Sequence, residues 1–214
     1  MRTLTAARIG SELRRHPPPN TSAWRVKRRA WSQELAGESP QELIRLGQLL
    51  INAGLRGRLT AYELIAMHPG GIAGLTPAAI RRLASGLCDW PGVDTFGCLI
   101  AGPAWREGRL GARQINSWAR SQDRWQRRLA LTCTVALNVR ARGGRGDAAR
   151  TLRVCRQLVV DRDDMVVKAL SWALRALIRW DRAAVRQFIR DHEGQLAARI
   201  KREVGNKLRS GRKN

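Results

Sequence analysis

One acidic residue stands out by its surroundings. Asp94 lies in the run PGVDTFGCLIAGPAW, where the next acid is Glu107, and Trp90 precedes it by four residues. At helical spacing the indole and the carboxylate share a face. A lone carboxylate in such a run should have a reason, and a place in a reacting site is one. The same Asp fits a structural reading equally well: a first-turn residue that satisfies free backbone N–H groups and balances the helix dipole. Spacing leaves both readings open.

Tryptophan dominates the aromatics, with 8 Trp against 1 Tyr and 2 Phe. Several adjoin arginine, as in Trp24-Arg25, Trp105-Arg106, Arg124-Trp125 and Arg179-Trp180. Interleaved rings and guanidinium groups suit contact with sugar and phosphate, whereas a Trp taken alone more often fills a gap between helices. Trp172 departs from the core-filling pattern. The apolar stripe of its segment is Val167, Leu170, Leu174 and Leu177; Trp172 lies off it, with Lys168, Arg175 and Ala176 three or four residues away and Arg179 beyond. Arg124, Arg127 and Arg128 follow one another in DRWQRRLALTC, with Arg124 and Arg128 one turn apart. Such a group is either a solvated basic face or a phosphate clamp.

The composition favours the clamp. Lys and Arg number 40 and Asp and Glu 17 in 214 residues, a formal net charge of +23. A hydrophobic content of 43% excludes a disordered basic tail. A folded chain with that surplus calls for a polyanionic partner, and nucleic acid is the first candidate.

Helices must position these side chains. Apolar residues recur three and four apart in runs such as ELIRLGQLLINAG and VVKALSWALRALIRW, and no period-two strand pattern is evident. The periodicity predicts helices over 3–14, 22–36, 40–53, 58–68, 77–86, 91–104, 110–120, 122–138, 147–160, 164–179, 182–193 and 195–209. Ser39-Pro40, Thr76-Pro77, Trp90-Pro91 and Asp181 mark starts. Short helices of similar length joined by short loops predict an all-α fold, an α-solenoid of antiparallel helix pairs stacked into a curved superhelix. No linker divides the chain, so residues 1–214 read as one domain with a frayed tail from about residue 209. The segment Arg140–Asp147 reads as a flexible basic loop. No stretch approaches the roughly 20 apolar residues of a membrane span, and the N-terminal residues lack the apolar run of a secretory signal. Cys88, Cys98, Cys133 and Cys155 form no CxxC pair and lie far from His16, His68 and His192, which argues against a metal site. Cys98 and Cys133 sit in apolar runs and read as core residues of a cytoplasmic protein.

Taken in order, Trp90-x3-Asp94, WQRRLAL at 125–131 and VKALSWALRAL at 167–177 resemble the DNA alkylation repair family, the AlkD-type DNA glycosylases built of HEAT-like repeats. VKRRAWSQEL, AYELIAMHP and the C-terminal AVRQFIRDHEGQLAARIKREVGNKL extend the likeness over nearly the whole chain. The resemblance implies a HEAT-like solenoid that hydrolyses the N-glycosidic bond of N3- or N7-alkylated purines in double-stranded DNA, leaving the damaged base in the stack, with no cofactor and no metal. It implies catalytic roles for Trp90, Asp94 and Trp172. It places a DNA-contacting arginine at Arg128, with Arg127 as the alternative register, and matches an aromatic of the second helix to Trp31. Arg124, Lys168 and Arg175 are the further DNA-binding candidates. A monomer, acting on nucleoid DNA, is the natural expectation. Two other readings compete: a non-catalytic solenoid that binds damaged or branched DNA, which the Trp90, Asp94 and Trp172 set disfavours, and a protein-binding scaffold, which the uniformly basic composition disfavours.

Overall fold

A computed structural model describes residues 5–16 and 18–211. In chain order its helices are α1 (Ala6–Arg15), α2 (Thr21–Glu34), α3 (Pro40–Leu50), α4 (Gly54–Met67), α5 (Pro77–Ala84), α6 (Trp90–Phe96), α7 (Gly102–Arg106), α8 (Ala112–Ala119), α9 (Arg124–Asn138), α10 (Ala148–Gln157), α11 (Asp164–Leu177), α12 (Arg182–Asp191) and α13 (Ala198–Ser210). Among the described residues there is no strand. Each predicted stretch coincides with a helix, with ends shifted by a few residues; residues 3 and 4 of the first, and 212–214 of the tail, lie outside the described residues. Arg209 and Ser210, expected to be frayed, belong to α13.

The start signals work as their chemistry requires. Ser39, Thr76 and Asp181 cap α3, α5 and α12 by accepting from the backbone N–H of Glu42, Ala79 and Ala184. The Trp90-Pro91 start is capped one residue earlier than the prolines suggest: Asp89 accepts from the N–H of Gly92 at 2.7 Å. Asp94 is therefore relieved of the capping role.

Two layers build the core. One holds α4, α6, α7, α9, α11 and α13; the other holds α3, α5, α8, α10 and α12. Within the first layer successive helices run parallel. Gly97 abuts Thr132 and Gly102 abuts Ala136, Arg128 reaches Met165, and Asp164 and Ser171 pair with Arg199 and Glu203 in the same order. The central helix is α9, whose residues from Arg128 to Asn138 are all buried. It is apolar around most of its girth because neighbours cover every side.

The 91–104 stretch departs from the expectation of one regular helix. A π-helical turn, Gly97–Ala101, separates α6 from α7, and the N–H of Gly102 bonds back to the carbonyl of Gly97. Pro103 accounts for it: a proline has no N–H to offer Leu99's carbonyl, and its ring crowds that oxygen, so the turn above it widens. The two glycines let the widened segment lie directly on α9. A Cβ at Gly97 would stand 2.1 Å from Thr132 Oγ1, and one at Gly102 would stand 2.6 Å from the Cys133 carbonyl oxygen.

The loop at 140–147 is also a correction: it is tied down, not flexible. Gly144 and Gly146 donate to the carbonyls of Val139 and Leu137. Asn138 accepts from the Asp147 N–H and donates to Thr151, while Trp180 Nε1 donates to the Asn138 carbonyl at 2.7 Å.

Gly102→Ala meets backbone on one side and cannot be relieved by a rotamer change. It is expected to cost roughly 1–3 kcal/mol as an overpacking substitution, read from the urea midpoint. Gly194→Ala, which meets nothing within 4 Å, should stay within about 0.5 kcal/mol of the parent.

Candidate active site

The carboxylate of Asp94 is held from two neighbouring helices. Arg128 on α9 donates from Nε to one oxygen at 2.8 Å and from Nη2 to the other at 2.7 Å, a bidentate fork. Its Nη1 donates to the Met165 carbonyl in the first turn of α11. The parallel packing thus brings α6, α9 and α11 together at one guanidinium. The Arg128 side chain is 7% exposed and that of Asp94 16%. Burial raises the Asp94 carboxyl above the usual carboxylate range, while Arg128 and, more distantly, Arg142 pull it back down.

Trp90 lies one turn before Asp94 and is 56% exposed. No other Trp is among the large hydrophobic side chains exposed in the described residues; Trp31, Trp105 and Trp118 are buried and Trp24, Trp125, Trp172 and Trp180 are partly buried against the core. Trp172 lies two turns beyond Met165 on α11, on the face that also carries Lys168. The expected apolar stripe of that helix, Val167, Leu170, Leu174 and Leu177, is fully inside.

The cationic candidates divide sharply. Arg124 is half-exposed, stacks over Trp125 at 5.0 Å and approaches Asp163 at 3.7 Å. Lys168 is 42% exposed and pairs with Asp164 at 2.6 Å. These two remain available to a ligand on the Asp94 face. Arg128 is not the open, unpaired cation expected from its position: its Nε and Nη2 bond Asp94 and its Nη1 bonds the Met165 carbonyl. Arg127 faces away: it donates to Asp161 at 2.7 Å and to the carbonyls of Ser121 and Gln122, fastening two loops. Arg175 donates to Ser171 and pairs with Glu203, joining α11 to α13. Trp31 is 3% exposed and belongs to the core, with Lys27 over its ring. Charge and spacing could not separate these cases, since each arginine's partner comes from a distant part of the chain.

Sequence reasoning missed two contributors. Asp89 takes the cap, for which the Asp-x-Pro order was the available signal. Arg142, beyond α9, lies against Cys98 and within electrostatic reach of Asp94; its place in a glycine-rich loop gave no hint of that. Among the described residues no group of His, Cys, Asp and Glu is arranged to hold a metal ion, and no helix is long and apolar enough to cross a membrane.

Fold and site together define an all-α helical-repeat protein that presents a cation-held carboxylate beside an open indole. A family model described as DNA alkylation repair enzyme matches residues 20–208, and the chain belongs to that family. No curated protein and no solved structure matches it.

Removing Arg128 alone leaves a largely buried carboxylate without its cation. Arg128→Ala is expected to cost about 3 kcal/mol or more. Adding Asp94→Asn should recover part of that loss. A double-mutant cycle by urea unfolding should therefore show a coupling above about 1 kcal/mol; a coupling near zero would show that the pair contributes nothing to the fold.

Proposed function

We propose that this protein is a DNA glycosylase that hydrolyses the N-glycosidic bond of N3- or N7-alkylated purines in duplex DNA, acting as a monomer and leaving the lesion in the base stack. The observation that carries this reading is Asp94: a carboxylate not used as a cap, held by a fork from Arg128, next to an exposed indole. The family membership and the charge of +23 support a DNA substrate. The free thiols, three of them buried, suit a reducing cytoplasm.

The chemistry needs one carboxylate. Alkylation at N3 or N7 gives the purine a formal positive charge, so the base already leaves well. The C1′–N bond breaks with its electron pair going to the base, which becomes neutral. Positive charge passes to the deoxyribose, where ionised Asp94 stabilises it and orients a water. The water oxygen bonds to C1′, its proton passes to Asp94, and an abasic site remains. Trp90 and Trp172 flank the sugar and backbone, and their π faces favour the cationic centre by on the order of 0.5–2 kcal/mol each. Arg128 keeps the carboxylate charged and aimed; Arg124 and Lys168 meet phosphates. No cofactor or metal enters the reaction.

The test is release of alkylated base from methylated duplex DNA. Asp94→Asn should lower the single-turnover rate by at least about 100-fold with duplex affinity nearly unchanged. Full activity in that variant would reduce Asp94 to a structural residue, and binding without release in the parent would leave a non-catalytic DNA binder. The rate should also fall with acid. Because burial raises the Asp94 carboxyl, the reactive ionised form is lost as pH drops through a value above the usual carboxylate range. Trp172→Ala should lower both affinity and rate; a loss in neither would remove Trp172 from the site.

A further inference from the structure

One turn beyond Asp94 along the chain, Cys98 borders a groove of about 420 Å³ whose lining also includes His68, Leu99, Arg106 and Arg142. It opens between the end of α4, the π turn with α7, and the loop that follows α9. Cys98 is four residues beyond Asp94 on the same helical segment. Glu107 also lines it and pairs with Arg106.

Arg142 is delivered there by a preformed turn. Its N–H donates to the Val139 carbonyl at 2.9 Å, and Arg106 Nη1 donates to the Arg142 carbonyl at 2.9 Å. Gly143 follows in the left-handed region, φ 75°, and its N–H closes the turn onto Arg140 at 2.9 Å. The backbone of Arg142 is thus fixed from both sides. Its side chain makes no ion pair with a carboxylate among the described residues, and its guanidinium lies against the Cys98 thiol. That thiol is pushed up to about 12 by burial, so it stays neutral and offers the cation no counter-charge.

The charge balance at the site makes the contrast with Arg128 plain. Asp94 and Arg128 neutralise each other. A DNA strand laid over Asp94 brings one negative charge per nucleotide towards a surface that already carries a carboxylate. The cation able to answer it on this side must be one that Asp94 has not consumed.

We propose that Arg142 forms a phosphate subsite of the active face, binding a backbone phosphodiester next to the nucleotide under attack, with Arg106 as the residue that positions it. This rests on the reading of the Asp94 face as the duplex-facing side.

The experiment measures binding of a fluorescent undamaged duplex over a range of salt concentrations, for the parent, Arg142→Gln, Arg142→Lys and, as control, Arg156→Gln on the exposed side of α10. Arg142→Gln keeps the side chain's bulk without its charge. It should weaken binding several-fold and flatten the plot of log affinity against log salt by about 0.9. Arg142→Lys should restore the slope. Arg156→Gln should leave the slope as in the parent. An unchanged slope for Arg142→Gln overturns the proposal, whatever the rate does. Inorganic phosphate competing as well as duplex would overturn it too, by showing a free-anion site. Because the binding arm uses undamaged DNA, a flattened slope without base release in the parent would keep the subsite and reject the glycosylase reading.

Discussion

A carboxylate withdrawn from water must be answered by a cation that is withdrawn with it, and the fold around Asp94 is arranged to meet that demand. The bidentate fork of Arg128 needs α6 and α9 at close range. Close range needs the glycines at 97 and 102, since any side chain there would strike Thr132 or the α9 backbone. It also needs the π turn that Pro103 forces, which shifts Asp94's end of the segment relative to α7. On the far side, Arg128 is anchored by the Met165 carbonyl, so α11 and its Trp172 are registered against the same guanidinium. Burial and pairing oppose each other at Asp94. The result is a charge held in place by neighbours and not by solvent, which is the condition for it to stabilise a cationic sugar without first reorganising.

Most of the architecture was legible from periodicity. The apolar stripe of α11, the capping residues of α3 and α5 and the helical character throughout follow from side-chain spacing and local hydrogen bonding, which act within a few residues. What was not legible is what depends on partners far away in the chain. Arg127 and Arg128 are adjacent, yet a rotation of 100° per residue sends one to Asp161 and the other to Asp94. Arg175 carries the same charge in the same stripe as Trp172, yet Glu203 claims it. Trp31 differs from Trp90 only in that α2 turns it onto the core. The flexible reading of 140–147 failed for a related reason: its glycines permit left-handed turns, and long-range contacts from Asn138 and Trp180 select one.

The same accounting changes what a net charge of +23 means. Many of the arginines are structural. Arg28 pairs with Glu63, Arg58 bonds to Tyr62 and the Leu83 carbonyl, Arg106 holds the Arg142 carbonyl, and Arg127, Arg128 and Arg175 are internal ties. A guanidinium suits this work because its five donors can serve a carboxylate and a carbonyl at once. Composition therefore indicates the sign of the partner but overstates how much of the charge faces it.

The set of groups around Asp94 also bears on which lesions a hydrolase of this design can process. Expelling a neutral base from deoxyribose leaves an anion, and enzymes that do so efficiently supply a proton or a strong hydrogen-bond donor to the base. Bonded to Asp94 here is the Arg128 guanidinium, with that of Arg142 within electrostatic reach, and neither gives up a proton near neutral pH. Neither guanidinium is poised to protonate a leaving group. A carboxylate with its guanidinium partner can stabilise the sugar but cannot improve the base as a leaving group, so on the proposed reading the activation comes from the lesion itself. On the proposed reading, a positive charge fixed on the purine by alkylation supplies it, and a carboxylate held by its guanidinium is then sufficient for the sugar.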